Sequence, residues 1–339
     1  MAIIAGFERA LQTLGLLTLI VLSAACSDSS DRAIDMLEPS LPPVPVTPPV
    51  ELMVRYELSS LDSIPEGIAF DPQDRAFYAT SLQGASITKI DADGTESLFR
   101  PADDRARLVG AKVDPAARRL WVCASRVDNI DNRVWVFDLD SGEQVMEFLL
   151  AALASNGACN DLALDAMGVA YVTDSNNPNI YRLDPATELG SVLISDPLLA
   201  DTLGIGLGSN GITVSPDGSV LIVAKFVPAQ LLVISLPNAS TIAEVALNGD
   251  DLPAPDGLVF LDDNLYSVSD RAVSRIKLDP QFTAGTVKSV EQIGGLSTAT
   301  VAEGALYVIK SEVTHFSIGQ PLETPFEIFV PDMSAFDDI

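Results

Sequence analysis

One short frame constrains this chain of 339 residues more than anything else in it: a polar residue and a glycine opening a short apolar strand. It first stands at Glu66-Gly67, ahead of Ile68 to Phe70 and closed by Asp71-Pro72. Asn160-Asp161, Asn210-Gly211 and Asp256-Gly257 open similar runs, and Val109-Gly110 fits without the polar residue. A weaker copy runs from Leu296 to Val301. The frame thus returns at 66, 109, 160, 210, 256 and 296, at intervals of roughly 40 to 50 residues, the period of propeller blades.

Each copy is followed by a turn and a second strand, as in Phe77 to Thr80, Leu120 to Cys123 and Ala170 to Thr173. The linking turns carry Asp-Pro, Pro-Asp-Gly or Asp-Asp-Asn, residues that accept tight-turn dihedrals. A third strand and a less regular fourth complete the unit. The expectation is an all-β chain, a six-bladed β-propeller with four-stranded antiparallel blades. Glu51 to Leu58 alternates like a strand and precedes the first copy. It is expected to complete the last blade and close the ring, with Phe326 to Val330 pairing nearby, which removes open edges.

The propeller is assigned to 51–339. Residues 1–26 read as a signal peptide: Arg9 precedes an apolar run, Leu14 to Leu22, too short to span a bilayer. The run ends in Ser23-Ala24-Ala25-Cys26, which resembles a bacterial lipoprotein box with Cys26 as the lipidated residue. Residues 27–50 hold Pro39, Pro42, Pro43, Pro45, Pro48 and Pro49 and form an extended tether. The expected location is the bacterial cell envelope, lipid-anchored, with secretion as the alternative.

A net charge of −27 repels phosphate backbones and anionic lipids, so no nucleic acid is expected, and the membrane only through the lipid anchor. The chain holds one histidine, His315, and no Gly-x-Ser-x-Gly elbow, which removes a Ser-His-Asp triad and zinc sites built on several histidines. His315 is read as a structural or surface residue. With Cys26 assigned to lipid, Cys123 and Cys159 can form a disulfide in an oxidising compartment, although two buried thiols are the default expectation.

The first strand of a blade lines the central channel, and its leading residue faces the top. The six equivalent positions are read as Glu66, Val109, Asn160, Asn210, Asp256 and Leu296. Carboxylate and amide oxygens are hard ligands, suited to calcium first and to magnesium or manganese, with zinc as a poorer alternative. Other motifs read as structure: Asp91-Ala92-Asp93-Gly94 as a hairpin turn, Gly204 to Gly208 as a rim loop, Trp121 and Trp135 as core, and Asn238-Ala239-Ser240 as an unmodified glycosylation pattern.

The ordered set Glu-Gly, Asn-Asp, Asn-Gly and Asp-Gly, opening successive blades over about 60–310, resembles the regucalcin/gluconolactonase (senescence marker protein) family. The resemblance implies one divalent metal ion on Glu66, Asn210 and Asp256, with Asn160 contacting bound water or substrate; Asp161 is read either as supporting these residues or as a satisfied turn residue. It implies hydrolysis of a lactone or related ester, with Asp256, or a hydroxide held by the ion, activating or supplying the attacking water. It further implies a substrate-binding arginine, for which Arg100, Arg107, Arg126 and Arg133 are the candidates, while Leu162 stands where the family has glycine. The expected partner is a small lactone or ester bound by a monomer. The alternative is a non-catalytic, metal-stabilised propeller serving as an envelope binding module. A paraoxonase-like mechanism is set aside because it leans on histidines this channel lacks.

Overall fold

The computed structural model describes residues 50–59, 64–103, 106–126, 132–204 and 206–336. The signal peptide, Cys26 and the tether up to Pro49 lie outside them.

The described strands form six sheets in ring order. Blade 1 runs outward from Pro65–Asp71 through Ala76–Ser81 and Ile87–Ile90 to Glu96–Arg100, each neighbour antiparallel. Blades 2, 3 and 4 repeat this order from inner strands Ala106–Asp114, Cys159–Leu164 and Ser209–Val214. Blade 5 starts at Leu258–Leu261 and gains an extra outer strand, Ala246–Gly249, which runs parallel to Ala284–Glu291. That strand belongs to the passage from blade 4, so it laps one blade onto the next.

Blade 6 is built from both ends of the domain. Its inner strands, Leu296–Ala302, Ala305–Lys310 and Phe326–Phe329, come last in the chain, and Arg55–Leu58 adds the outer strand. Arg55 pairs with Phe329 and Leu58 with Phe326, and the Arg55 guanidinium meets the Glu327 carboxylate at 2.7 Å. The expected closing strand is therefore present.

Six apolar clusters hold the ring, one in each junction between neighbouring blades. Trp121 is fully buried and stacks on Phe148, with ring centroids 5.6 Å apart. Trp135 donates its indole N–H to Glu147 and carries the Arg100 guanidinium on its face, so both tryptophans pack as core. Asp91 to Gly94 is the expected hairpin turn, with Gly94 at φ 84° donating to the Asp91 carbonyl.

The disulfide, not the thiol pair, is what the structure contains: Cys123 and Cys159 are bonded, with Cα atoms 5.4 Å apart. Its place explains it. Registers put Cys123 in blade 2 where Thr80 stands in blade 1 and Thr173 in blade 3. Thr80 donates its hydroxyl to the carbonyl of Val109, and Thr173 to that of Asn210, both at 2.6 Å, each reaching forward to the next blade. Cys123 also reaches forward, but covalently.

Candidate functional site

The inner strands open with a bulge, and the bulge makes the site. The ladder slips between Pro65 and Ile68, Leu108 and Ala111, Cys159 and Leu162, Ser209 and Ile212, and Leu296 and Ala299. Two residues in each gap leave the ladder. They are Glu66-Gly67, Val109-Gly110, Asn160-Asp161, Asn210-Gly211 and Ser297-Thr298, with Asp256-Gly257 ahead of the blade 5 strand.

This register corrects one expectation. Leu296 pairs with Lys310 as Pro65 pairs with Ser81, so the sixth leading residue is Ser297. Leu296 is a ladder residue, buried among its neighbours. Blade 6 has no glycine to mark the bulge, which is why its frame reads one residue early.

Glycine in the second bulge position lets adjacent inner strands meet. A Cβ on Gly67 would fall 2.2 Å from the Val109 carbonyl oxygen, and one on Gly211 would fall 2.1 Å from that of Asp256. The leading carbonyls are tied around the axis: Gly211 N–H donates to Asp256, Gly257 N–H to Ser297, and the Ser297 hydroxyl to Glu66. The side chains above this girdle are held in place by backbone.

At the axis these residues enclose a narrow cavity of about 10 Å³, walled by Glu66, Asn160, Asp161, Asp256, Lys112 and Thr298 among others. That volume is close to one water molecule. Glu66 and Asn210 are buried, and the Asn210 side chain stands close enough to the Asp256 carboxylate to lower its pKa. Glu66, Asn160, Asn210 and Asp256 are therefore brought together, and Val109 is turned into the core between blades 2 and 3.

Blade 2 instead contributes a residue that the repeating frame does not mark. Lys112 lies in the cavity wall, with Nζ 3.4 Å from the Asp161 carboxylate. Its signal is strand alternation beyond the bulge: Gly110 and Lys112 share the inward face. Asp161 occupies the place of a glycine, is almost fully buried, and accepts from its own Leu162 N–H at 2.8 Å.

The electrostatics follow from crowding of acids. Burial, then the Asp256 and Asp161 carboxylates, hold Glu66 well above the ordinary range, against the opposing pull of Lys112. Burial and the facing Asp161 push Asp256 up to about 8, opposed by the Asn210 side chain. Asp256 keeps some surface open to the mouth, so the neighbouring carboxylate matters to its shift as well as burial.

Two polar atoms in this ring have no hydrogen-bond partner: Glu66 Oε2 and Asn210 Oδ1, both buried. Buried oxygens left bare are costly, and a cation is the partner that suits oxygen acceptors grouped with excess negative charge. The donor set thus fits a hard divalent ion. Among the described residues no group of three or more His, Cys, Asp or Glu is placed to hold a metal; the axial ring combines two carboxylates with the Asn210 amide.

A second, wider cavity of about 380 Å³ adjoins the first on the side of blades 5 and 6. Asp256 lines both. The expected arginines are elsewhere: Arg100 stacks on Trp135 and Phe137, Arg133 pairs with Glu147, and Arg107 lines neither cavity. The side chain of Arg126 lies outside the described residues. The arginine in the wide cavity is Arg271, exposed and paired with Asp270 at 3.5 Å. His315 sits on a short helix, Val313–Ser317, with Nδ1 2.5 Å from the buried Glu312 carboxylate.

Fold and axial ring together define a six-bladed propeller with an acidic, amide-bearing channel mouth. The chain belongs to the SMP-30/Gluconolactonase/LRE-like region family, whose model matches residues 64–277. Among solved structures it is similar to the major allergen Mala s 1 of Malassezia sympodialis, with a TM-score of 0.68 at 15% identity over 84% of this chain and 97% of that one. It is also similar to a gluconolactonase of Xanthomonas campestris, with a TM-score of 0.59 at 19% identity, covering 79% and 86%. Virginiamycin B lyase of Staphylococcus aureus gives 0.53 at 14% identity, covering 81% and 96%. At these identities the likeness is one of fold. No curated protein sequence matches the chain.

Proposed function

We propose that this protein is a divalent-metal-dependent hydrolase of lactones or related esters. The observation that carries the reading is the pair of bare, buried oxygens on Glu66 and Asn210 beside the Asp256 carboxyl. Membership of the lactonase-containing family and the fold shared with a gluconolactonase support the same reaction class.

Glu66, Asn210 and Asp256 would hold the ion, calcium by preference, with magnesium, manganese or zinc as substitutes. When bound, the ion supplies Lewis acidity toward the substrate carbonyl. Asp256 stands where the narrow and wide cavities meet, so it can face both a water and an entering ester. As general base it takes a proton from water as the water oxygen attacks the carbonyl carbon. When the ring C–O bond breaks, the same carboxyl returns the proton to the leaving oxygen. A cation nearby favours the charged carboxylate and draws its raised pKa back down. Asn160 orients the water or the substrate by hydrogen bonding, and the Lys112–Asp161 pair limits the negative charge behind the site.

The second reading is a non-catalytic binding module with the ion as a structural plug, and the absence of Arg100, Arg107 and Arg133 from the wide cavity favours it. A lactone panel, assayed with and without chelator, separates the two. Chelator-sensitive turnover supports the hydrolase, and no turnover with retained cation binding leaves the binding module. Residence at a bacterial envelope through a lipid on Cys26, as a monomer, goes with either reading.

A further inference from the structure

We infer that the wide cavity selects lactones or esters bearing an apolar arm over polyhydroxylated sugar lactones. This rests on the hydrolase reading and names the substrate class of that site.

The cavity has the volume of a small-molecule site, and it opens directly on Asp256. A carbonyl placed at Asp256 therefore leaves the remainder of its molecule in the space between blades 5 and 6. Phe226, Pro253, Ala254, Ala272 and Leu296 line that space and offer carbon rather than hydrogen bonds.

The two serines of the same wall, Ser269 and Ser289, are already engaged. The Ser269 hydroxyl donates to the Ala272 carbonyl at 3.2 Å. The Ser289 hydroxyl is shared with Ser274 at 2.8 Å and lies 3.3 Å from the Asp251 carbonyl. Asp270, paired with Arg271 at 3.5 Å, and the exposed Arg271, Glu291 and Thr314 stay in contact with water at the edge of the wall. A sugar lactone carries a hydroxyl on almost every ring carbon, and each one stripped of water without a new partner weakens binding. An alkyl or aryl arm makes no such demand and removes apolar wall from water.

The test uses the purified full-length protein with calcium and three substrates: δ-valerolactone as the bare ring, δ-decalactone as the same ring with a pentyl arm, and glucono-δ-lactone. The value of kcat/KM is expected to rise about tenfold or more from the bare ring to the armed one. Glucono-δ-lactone is expected to fall below both. Phe226→Ala should lower kcat/KM for δ-decalactone by about tenfold, and for δ-valerolactone by clearly less. A preference for glucono-δ-lactone overturns the inference while leaving the hydrolase reading intact.

Absence of turnover on all three ends the hydrolase reading, and the cavity is then tested by itself. Calorimetry with the corresponding lactams reads binding without chemistry. Tighter binding of the pentyl-substituted lactam sustains the selectivity, and equal binding, preference for the hydroxylated lactam or no binding overturns it.

Discussion

Asp174 and Glu66 are both buried carboxylates at the same end of their blades, yet their surroundings are opposite. Asp174 accepts from the backbone N–H groups of Ala158, Asn176 and Asn177, from the Asn177 amide, and from the Tyr181 hydroxyl at 2.6 Å. Glu66 keeps one oxygen bare and faces other acids. Desolvating a charge is costly unless its partners are supplied. Asp174 is supplied by its own loop, by Ala158 ahead of the inner strand and by Tyr181 on the third strand, and acts as a structural node. Glu66 is left incomplete by the fold, which is the condition expected of a residue that waits for a ligand.

The contrast makes Asp256, on the incomplete side, the position of largest expected effect on activity. Asp256→Asn should lower kcat/KM on a responsive lactone by about a thousandfold with circular dichroism unchanged. A loss below tenfold would remove Asp256 from the chemistry. Asp174→Ala should do the reverse: denaturant unfolding should show a loss of about 3 kcal/mol, because several buried donors lose their acceptor. Activity per folded molecule should survive. Glu66→Gln should weaken calcium binding by roughly tenfold to a hundredfold in titration calorimetry, since ligand charge sets affinity. An unchanged affinity would put Glu66 with Asp174, as structure.

A smaller effect concerns pH. Glu66 and Asp256 have raised values in the fold, so the native state holds protons that the unfolded chain has released. Stability of chelated protein should therefore fall as pH rises from about 4 to about 8, and Asp256→Asn should flatten part of that slope. Melting temperatures across pH read this directly, and the mutant comparison removes the background from other acids. The smallest effect is at Lys112, whose charge opposes a bound cation. Lys112→Met should tighten calcium binding on the order of fivefold, and weaker binding would mean that the ammonium orders the site more than it repels the ion.

Much of the ring is legible because its geometry leaves a mark in composition. Bulges need glycine where neighbouring backbones nearly touch, so Gly67, Gly211 and Gly257 advertise Glu66, Asn210 and Asp256. Blade 6 replaces that glycine with Thr298, and without the marker its register slides by one residue. The family match likewise ends at residue 277, before this blade begins. Lys112 escapes the frame because it stands beyond the leading position. The disulfide stays open at the level of sequence because spacing says nothing about which junction a strand residue faces, and only the equivalence with Thr80 shows it. The extra parallel strand at Ala246–Gly249 carries no local signature, since its partner lies far along the chain.

The outer strand of blade 6 has a consequence for how the molecule is made. Arg55 and Glu327, which meet across that seam, are 272 positions apart. Such a distant pairing is slow to find, because a long loop must be closed before the contact rewards it. The five earlier sheets can assemble as the polypeptide lengthens, but the circle stays open until Phe326–Phe329 has emerged. Biogenesis therefore has a late commitment step, in which the first segment of the domain must remain unclaimed until its mate arrives.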